Sequence, residues 1–302
     1  MDDKKTGRII KCVGGLYTVR TENEDIQCRA RGVFRHSNIT PLVGDVVSVG
    51  VEDNNAGAVI WEIFERKNSL IRPPLANLDY VFVTFASQNP APMLDMTDKL
   101  ISILEYNKVE PVIIIGKSEL NPERADELYE IYKKSGFNVF RVSCHEDSGI
   151  DEVKAFIAEN LNDKIAAFAG ASGVGKSTLL NKLFPELDLA TNTLSKKTQR
   201  GRHTTREVTL FSIGDGYIAD TPGFSMLDFE RFDFFELDDL KETFREFEDY
   251  IGKCKYTKCS HTKEEGCAIL QAVKEGKIAK TRHENYCMLY DVLKNKNKWN
   301  KK

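Results

Sequence analysis

Residues 169–183, "AGASGVGKSTLLNKL", restrict the fold more than any other stretch of the chain. Gly170 to Ser177 spell GxxxxGK[ST], directly after the apolar run "KIAAF" and directly before "KSTLLNKLF". A strand must therefore end and a helix begin around a loop whose backbone N–H groups can curl about phosphate oxygens, with the helix dipole adding to the attraction. The expected phosphate-binding residues are Gly170, Ala171, Ser172, Gly173, Val174, Gly175, Lys176, Ser177 and Thr178. Lys176 is expected to reach the outer phosphates, and Ser177 to hold Mg²⁺. Domains built on this loop usually place it on their first strand, yet here it begins more than halfway along 302 residues.

What precedes it falls into two textures. Residues 6–66 alternate apolar and polar positions between Gly, Asn and Asp breaks, the pattern of a small β-barrel. An oligonucleotide-binding (OB) barrel fits the length and strand count, as does a similar small barrel. Arg29, Arg31, Arg35 and His36 put cations beside Phe34, a set suited to gripping RNA by phosphate pairing and base stacking, or equally to facing solvent. "NSLIRPPLANLD" reads as a linker at its consecutive prolines. From residue 79 the strands "DYVFVTFAS", "PVIIIGKSE", "NVFRVSC" and "KIAAFAGAS" are continuous apolar runs separated by helix-length segments, which predicts a doubly wound parallel sheet. "REVTLFSI" and "GYIADTPG" close that sheet through a hairpin at Gly214-Asp215-Gly216. After residue 225 the strands stop, "FELDDLKETFREFEDYI" has helical spacing, and "RHENYCMLYDVLKNKNK" reads as a last helix ahead of a basic tail over the final nine residues. The expected domains are 1–67, 68–225 and 226–302.

The hydrophobic fraction of 41% with 29% charged residues is that of a chain able to bury a core, and the formal charge of −3 gives no global attraction to nucleic acid. The apolar runs are too short to span a bilayer and the amino terminus lacks a secretory pattern, so a cytoplasmic protein with no membrane partner is expected. Seven cysteines are too few and too scattered for a disulfide framework, so their local cluster needs a metal explanation. "CKYTKCSHTKEEGC" places Cys254, Cys259, His261 and Cys267 within reach of one ion, the ligand set of a closed tetrahedral structural zinc site, with Cys287 spare. Cys12, Cys28 and Cys144 are expected to be small buried side chains.

A phosphate-loop enzyme also needs an acidic group for Mg²⁺ at a neighbouring strand end, and Asp220 in "YIADTPGF" occupies that place, with the Gly223 N–H available to the terminal phosphate. Either Thr204 or Thr205, in the basic stretch between the two motifs, can add a hydroxyl to the metal. These elements resemble a Ras-like GTPase, which requires a base-reading segment. None follows Gly223. Upstream, "GKSE" (Gly116, Lys117, Ser118 and Glu119) lies beyond the carboxyl end of "PVIII", where ligands of open α/β sheets bind, and the next strand ends in Ser143-Cys144. The base-reading half thus precedes the phosphate-reading half, the order of a circular permutation.

With "GASGVGKSTLLN", "GRHTT" and "DTPGF" between a barrel and a cysteine cluster, the chain resembles the circularly permuted ribosome-assembly GTPases over nearly its whole length. The resemblance implies a monomeric P-loop GTPase with a permuted doubly wound sheet, an OB-type barrel and an α-helical zinc domain. It further implies hydrolysis of GTP to GDP and phosphate stimulated by the small ribosomal subunit, contact with its RNA during late maturation, one structural Zn²⁺, and Mg²⁺ with GTP. Lys176, Thr204, Thr205 and His203 are the expected catalytic set. His203 is assigned the water because Phe224, after "DTPG", cannot orient it. Gly116 and Glu119 depart from the Asn and Asp of the usual base-reading spelling, so guanine preference is expected to be relaxed. Two other readings remain: an unselective or ATP-preferring nucleotidase, and a nucleotide-gated RNA-binding scaffold with negligible turnover.

Overall fold

Five strands separated by Gly and Asn turns close on themselves at the amino terminus: β1 (Lys5–Val13), β2 (Leu16–Thr21), β3 (Asp25–Ala30), β4 (Val46–Val51) and β5 (Ala58–Ile63), with a short helix α1 (Val33–His36) after β3. The computed structural model describes residues 4–36, 39–51, 57–70, 73–187, 208–220 and 236–299. The strand order is β1-β2-β3-β5-β4, and β1 pairs again with β4. Only the β3–β5 pairing in this ring is parallel. This is the OB arrangement. A register shift between Ile9 and Lys11 bends β1 so that it serves both neighbours. Alternation does the rest: Ile9, Val19, Val47, Val49 and Ile60 are buried inside the ring. Asp45, fully buried, accepts two 2.7 Å bonds from the Arg66 guanidinium.

The proline-containing segment is not an extended linker. It forms a hairpin of β6 (Ser69–Leu70) and β7 (Leu75–Ala76), with Pro73 and Pro74 in its turn and Leu70 and Leu75 buried. Proline's fixed φ suits turn positions, and burial of the two leucines supplies what the dipeptide alone does not reveal.

The apolar runs then become strands and the segments between them helices: β8 (Tyr80–Ala86), α2 (Leu94–Tyr106), β9 (Glu110–Gly116), α3 (Pro122–Lys134), β10 (Asn138–Val142), α4 (Ile150–Asn160), β11 (Ile165–Ala169), α5 (Lys176–Leu183), β12 (Thr209–Ile213) and β13 (Gly216–Asp220). Two compact units divide the chain: Met1–Tyr80 with Ala155–Phe168 and Phe184–Phe224, and Val81–Lys154 with Ala169–Leu183 and Ser225–Lys302. In the first, β11 runs parallel to β13, β12 and β13 form the expected hairpin with Ile213 opposite Gly216, and β12 meets β1 at Thr209 and Lys11. In the second, β10, β9 and β8 lie side by side in that order, β10 parallel to β9, with Val81, Phe82 and Ile113 to Ile115 buried.

The second unit also holds the carboxyl-terminal segment, α6 (Ala268–Lys274) and α7 (Lys280–Trp299). The stretch with helical spacing ahead of them is instead two 3₁₀ segments, Leu237–Thr243 and Arg245–Tyr250. Phe244 between them stands at φ −111°, ψ 88°, and its buried ring packs on Phe247 and Tyr286, each at 5.3 Å between centroids. Burying both phenylalanines outweighs helical continuity. The last helix keeps close to its expected extent, Lys280–Trp299, and takes in most of the basic tail, with Leu289 and Leu293 holding one face buried.

Arg282 on α7 fixes this segment to α2. It is 1% exposed, donates to Asp98 at 2.6 Å and to Glu246 at 2.7 and 3.1 Å, and Asn285 and Tyr132 donate to the same Asp98 at 2.6 and 3.0 Å. Burial pushes the Asp98 carboxyl upward and Arg282 opposes this; with three donors around it, the pocket is built for the carboxylate. Burial also works against the Arg282 charge, and Asp98 and Glu246 more than offset it. No helix among the described residues is long and apolar enough to cross a membrane.

Candidate active site

The phosphate loop leaves β11, whose five residues are all buried, and enters α5 at Lys176. Gly170 is required by its neighbour: a Cβ there would lie 2.0 Å from the Thr84 carbonyl oxygen at the end of β8. Lys176 is half-buried, and its ammonium folds back over the loop, donating to the Gly170 and Ala171 carbonyls at 2.5 and 2.8 Å. Burial lowers its pKa, which makes an anionic partner energetically welcome. Ser172, Gly173, Ser177 and Thr178 line the open face of this turn, and Val174 is buried beneath it.

The "GKSE" segment stands at the carboxyl end of β9. Gly116 closes the strand, Lys117 turns the chain with φ 53°, and Ser118 opens a 3₁₀ turn, Ser118–Leu120, that carries Glu119. Asn121 then caps α3, accepting from the Arg124 N–H at 3.0 Å. A Cβ on Gly116 would sit 3.1 Å from the Val174 carbonyl, so this position brings the turn close against the phosphate loop. Between them lies a cavity of about 440 Å³, within the range of small-molecule sites. Lys117 and Glu119 line one wall, Gly175 and Thr178 another, and Cys144 and His145 a third. The Glu119 Oε2 atom is buried and has no hydrogen-bond partner among the described residues. An orphaned buried carboxylate oxygen is costly.

Ser143 is fully buried and does not line the cavity; its hydroxyl accepts from the Glu146 N–H at 3.1 Å, and its backbone exchanges two bonds with Ser148, forming the turn that presents Cys144 and His145. Lys182 on α5 pairs with Asp147 of that turn. His145 also lines the cavity, and no periodicity or motif marks it. Asp220 ends β13 opposite Thr209. His203, Thr204, Thr205, Gly223 and Phe224 lie outside the described residues.

In the barrel, Arg29 and Phe34 line a cavity of about 430 Å³ beside Gly14, Gly15 and Tyr17. Arg31 is turned elsewhere, its guanidinium 4.1 Å from the Trp61 ring centroid, with the Lys4 ammonium at 4.2 Å from the same ring. Arg35 lies on α1, its side chain outside the description. The structure thus brings two of the four candidate RNA contacts together.

The ligand atoms of Cys254, Cys259, His261 and Cys267 all lie within 4.8 Å of one another. Cys254 and Cys267 sulfurs are 3.8 Å apart, and His261 Nδ1 is 3.5 and 3.6 Å from them. A tetrahedron with Zn–S near 2.3 Å has edges of about 3.8 Å, so the set fits Zn²⁺. Backbone N–H groups of Ala268 and Leu270 point at Cys254 and Cys267 sulfurs at 3.3 and 3.5 Å, and the His261 carbonyl is 2.7 Å from His283 Nε2. Such outer contacts orient the ligands. Cys287 stays with His283, at 3.7 Å, outside the four. Of the cysteines expected to be buried, Cys28 is, whereas Cys12 and Cys144 are half-buried, the latter because it faces the cavity.

The RsgA GTPase family profile matches residues 63–230, more than half the chain, and the RsgA N-terminal domain profile matches residues 6–59. The chain belongs to the RsgA GTPase family. Among its relatives, the small ribosomal subunit biogenesis GTPase RsgA of Clostridium botulinum (strain Loch Maree / Type A3) is 38% identical over 298 residues, 97% of this chain and 99% of that one. The protein of the same name from Bacillus cytotoxicus is 42% identical over 292 residues, 95% and 97%. Two solved structures share the fold: YloQ, a circularly permuted GTPase (TM-score 0.77, 36% identity, 97% and 96% coverage), and YjeQ from Thermotoga maritima (0.78, 32%, 96% and 98%). The permuted sheet, the OB-type barrel and the GTP-hydrolase class read from motif order are therefore those of the RsgA family. Ahead of its phosphate loop this RsgA-family chain carries "GKSE", with Gly116 and Glu119 at its ends.

Proposed function

We propose that this chain hydrolyses GTP in the biogenesis of the small ribosomal subunit, binding that subunit and its RNA and releasing GDP and phosphate. The observation that carries the reading is the cavity that the "GKSE" turn and the phosphate loop both line, with Glu119 in one wall and Gly175 and Thr178 in another. A carboxylate there accepts the ring N–H and exocyclic amine of guanine, while Lys117 and the Ser143-Cys144 turn frame the base. Gly170 to Thr178 hold the phosphates. Mg²⁺, held by Ser177 and Asp220 with Thr204 or Thr205, would neutralise charge developing on the outer phosphates. Lys176 stabilises the same charge, and His203 positions the attacking water. Cys254, Cys259, His261 and Cys267 hold one structural Zn²⁺, and the barrel, through Arg29, Phe34, Arg31 and Arg35, contacts ribosomal RNA.

The working divisions are a barrel over 1–67, the permuted GTPase over 68–225 and the zinc segment over 226–302, in a cytoplasmic monomer. The test is phosphate release from GTP and from ATP, with and without small ribosomal subunits, alongside His203→Ala. GTP turnover stimulated by the subunit and lost in His203→Ala supports the proposal. Turnover of both nucleotides at similar rates favours the unselective nucleotidase that Gly116 and Glu119 allow. No release with saturating subunits favours the scaffold.

A further inference from the structure

Lys117 is a branch point under strain. A non-glycine residue at φ 53°, ψ 39° sits in the left-handed region and persists only where its surroundings hold it. The grip comes from the end of β8. Ser87, 3% exposed, donates its backbone N–H to the Gly116 carbonyl at 2.9 Å and its hydroxyl to the Lys117 carbonyl at 2.7 Å. The Lys117 ammonium returns the contact by donating to the carbonyl of Asn89. The Lys117 carbonyl is also the acceptor that closes the turn behind it, taking the Leu120 N–H at 3.0 Å. Glu119 lies inside that turn and lines the cavity, so the placement of its carboxyl depends on the peptide plane to which the Ser87 hydroxyl donates. With glycine at 116, no side chain at the strand end is available for this task. The phosphate loop is held separately, by the fit of Gly170 against Thr84.

We propose that Ser87 is a positioning residue for base recognition: by fixing the Lys117 carbonyl it aims Glu119 and thereby sets affinity and selectivity for the base, without acting on the phosphate loop. This rests on the base-reading role of Glu119 given above. Removing one buried hydroxyl that donates to a carbonyl predicts a modest, selective loss.

The test is calorimetric titration of the full chain with GDP, ADP and inorganic tripolyphosphate, each with Mg²⁺, for wild type, Ser87→Ala, Ser87→Cys and Ser87→Thr. Ser87→Ala is expected to weaken GDP roughly three- to tenfold and to narrow the GDP-over-ADP ratio by the same factor, with tripolyphosphate affinity unchanged. Ser87→Thr, which keeps the hydroxyl, restores the ratio. Ser87→Cys, which keeps the volume and weakens the donor, falls between, and it carries the test where the alanine variant does not fold. Unchanged GDP affinity, or an equal loss for GDP and tripolyphosphate, overturns the positioning role alone. A wild type that binds GDP no better than ADP overturns the base-reading assignment and this proposal with it.

Discussion

At the scale of single residues, the reading turns on the Lys176 ammonium of the phosphate loop and on Glu119 in the wall of the cavity. Lys176 has carbonyl acceptors from its own loop, which phosphate oxygens can replace at little cost, whereas Glu119 Oε2 has no donor among the described residues. Glu119→Gln, which exchanges an acceptor-only carboxylate for an amide, is expected to weaken GDP by about ten- to a hundredfold, the worth of hydrogen bonds to a charged group, while leaving tripolyphosphate affinity unchanged. Fluorescence titration with a labelled guanine nucleotide measures the first and calorimetry the second. The phosphate loop was legible in the sequence because its chemistry is contiguous: glycines, lysine and hydroxyl follow one another across a single strand-to-helix turn. Ser87 and His145 were not, since Ser87 meets Lys117 across 30 residues and His145 reaches the cavity only through the turn that Ser143 and Ser148 close.

At the scale of elements, α7 is joined to α2 by charge rather than by apolar contact alone. Arg282→Met removes one cation from between two buried carboxylates, and breaking such a set by deleting a single partner costs about 3–5 kcal/mol. A lower midpoint in chemical denaturation checks this; an unchanged midpoint would mean that Asp98 and Glu246 are accommodated without their partner. With zinc bound as proposed, the Cys254, Cys259, His261 and Cys267 set would be a second fixing point. Burial pushes the Cys259 thiol up to about 12 and raises Cys267 too, so zinc would have to displace their protons. One equivalent of zinc by elemental analysis is expected. Stripping it with a chelator, or making Cys259→Ser, should lower the thermal midpoint and expose residues 254–267 to proteolysis. The ligand set could be read from spacing, while the 3₁₀ segments on either side of Phe244 could not. Helical spacing of apolar residues there reflects a buried aromatic cluster with Tyr286 from a helix some 40 residues on, a contact invisible to any local window.

At the scale of the whole molecule, permutation places the "GKSE" turn, to which the proposal assigns base reading, before the phosphate loop and leaves a barrel ahead of the first and the cysteine–histidine segment after the second. Its legibility came from order rather than spelling, because "GKSE" is a poor match by letters but stands beyond the carboxyl end of β9, where the sheet binds ligands. The barrel is expected to act on the ribosomal partner and not on nucleotide. Arg29→Ala with Phe34→Ala should weaken association with small subunits by about tenfold, in keeping with one lost stacking contact and one lost phosphate contact, and leave GDP affinity of the free chain intact. Sedimentation with purified subunits reads the first and nucleotide titration the second. The most direct test of a single shared nucleotide site is amide hydrogen exchange of the full chain with and without GDP and Mg²⁺. Slowed exchange in both 116–120 and 170–178 is predicted, with tripolyphosphate protecting only the second stretch; protection confined to 170–178 in the presence of GDP would contradict it.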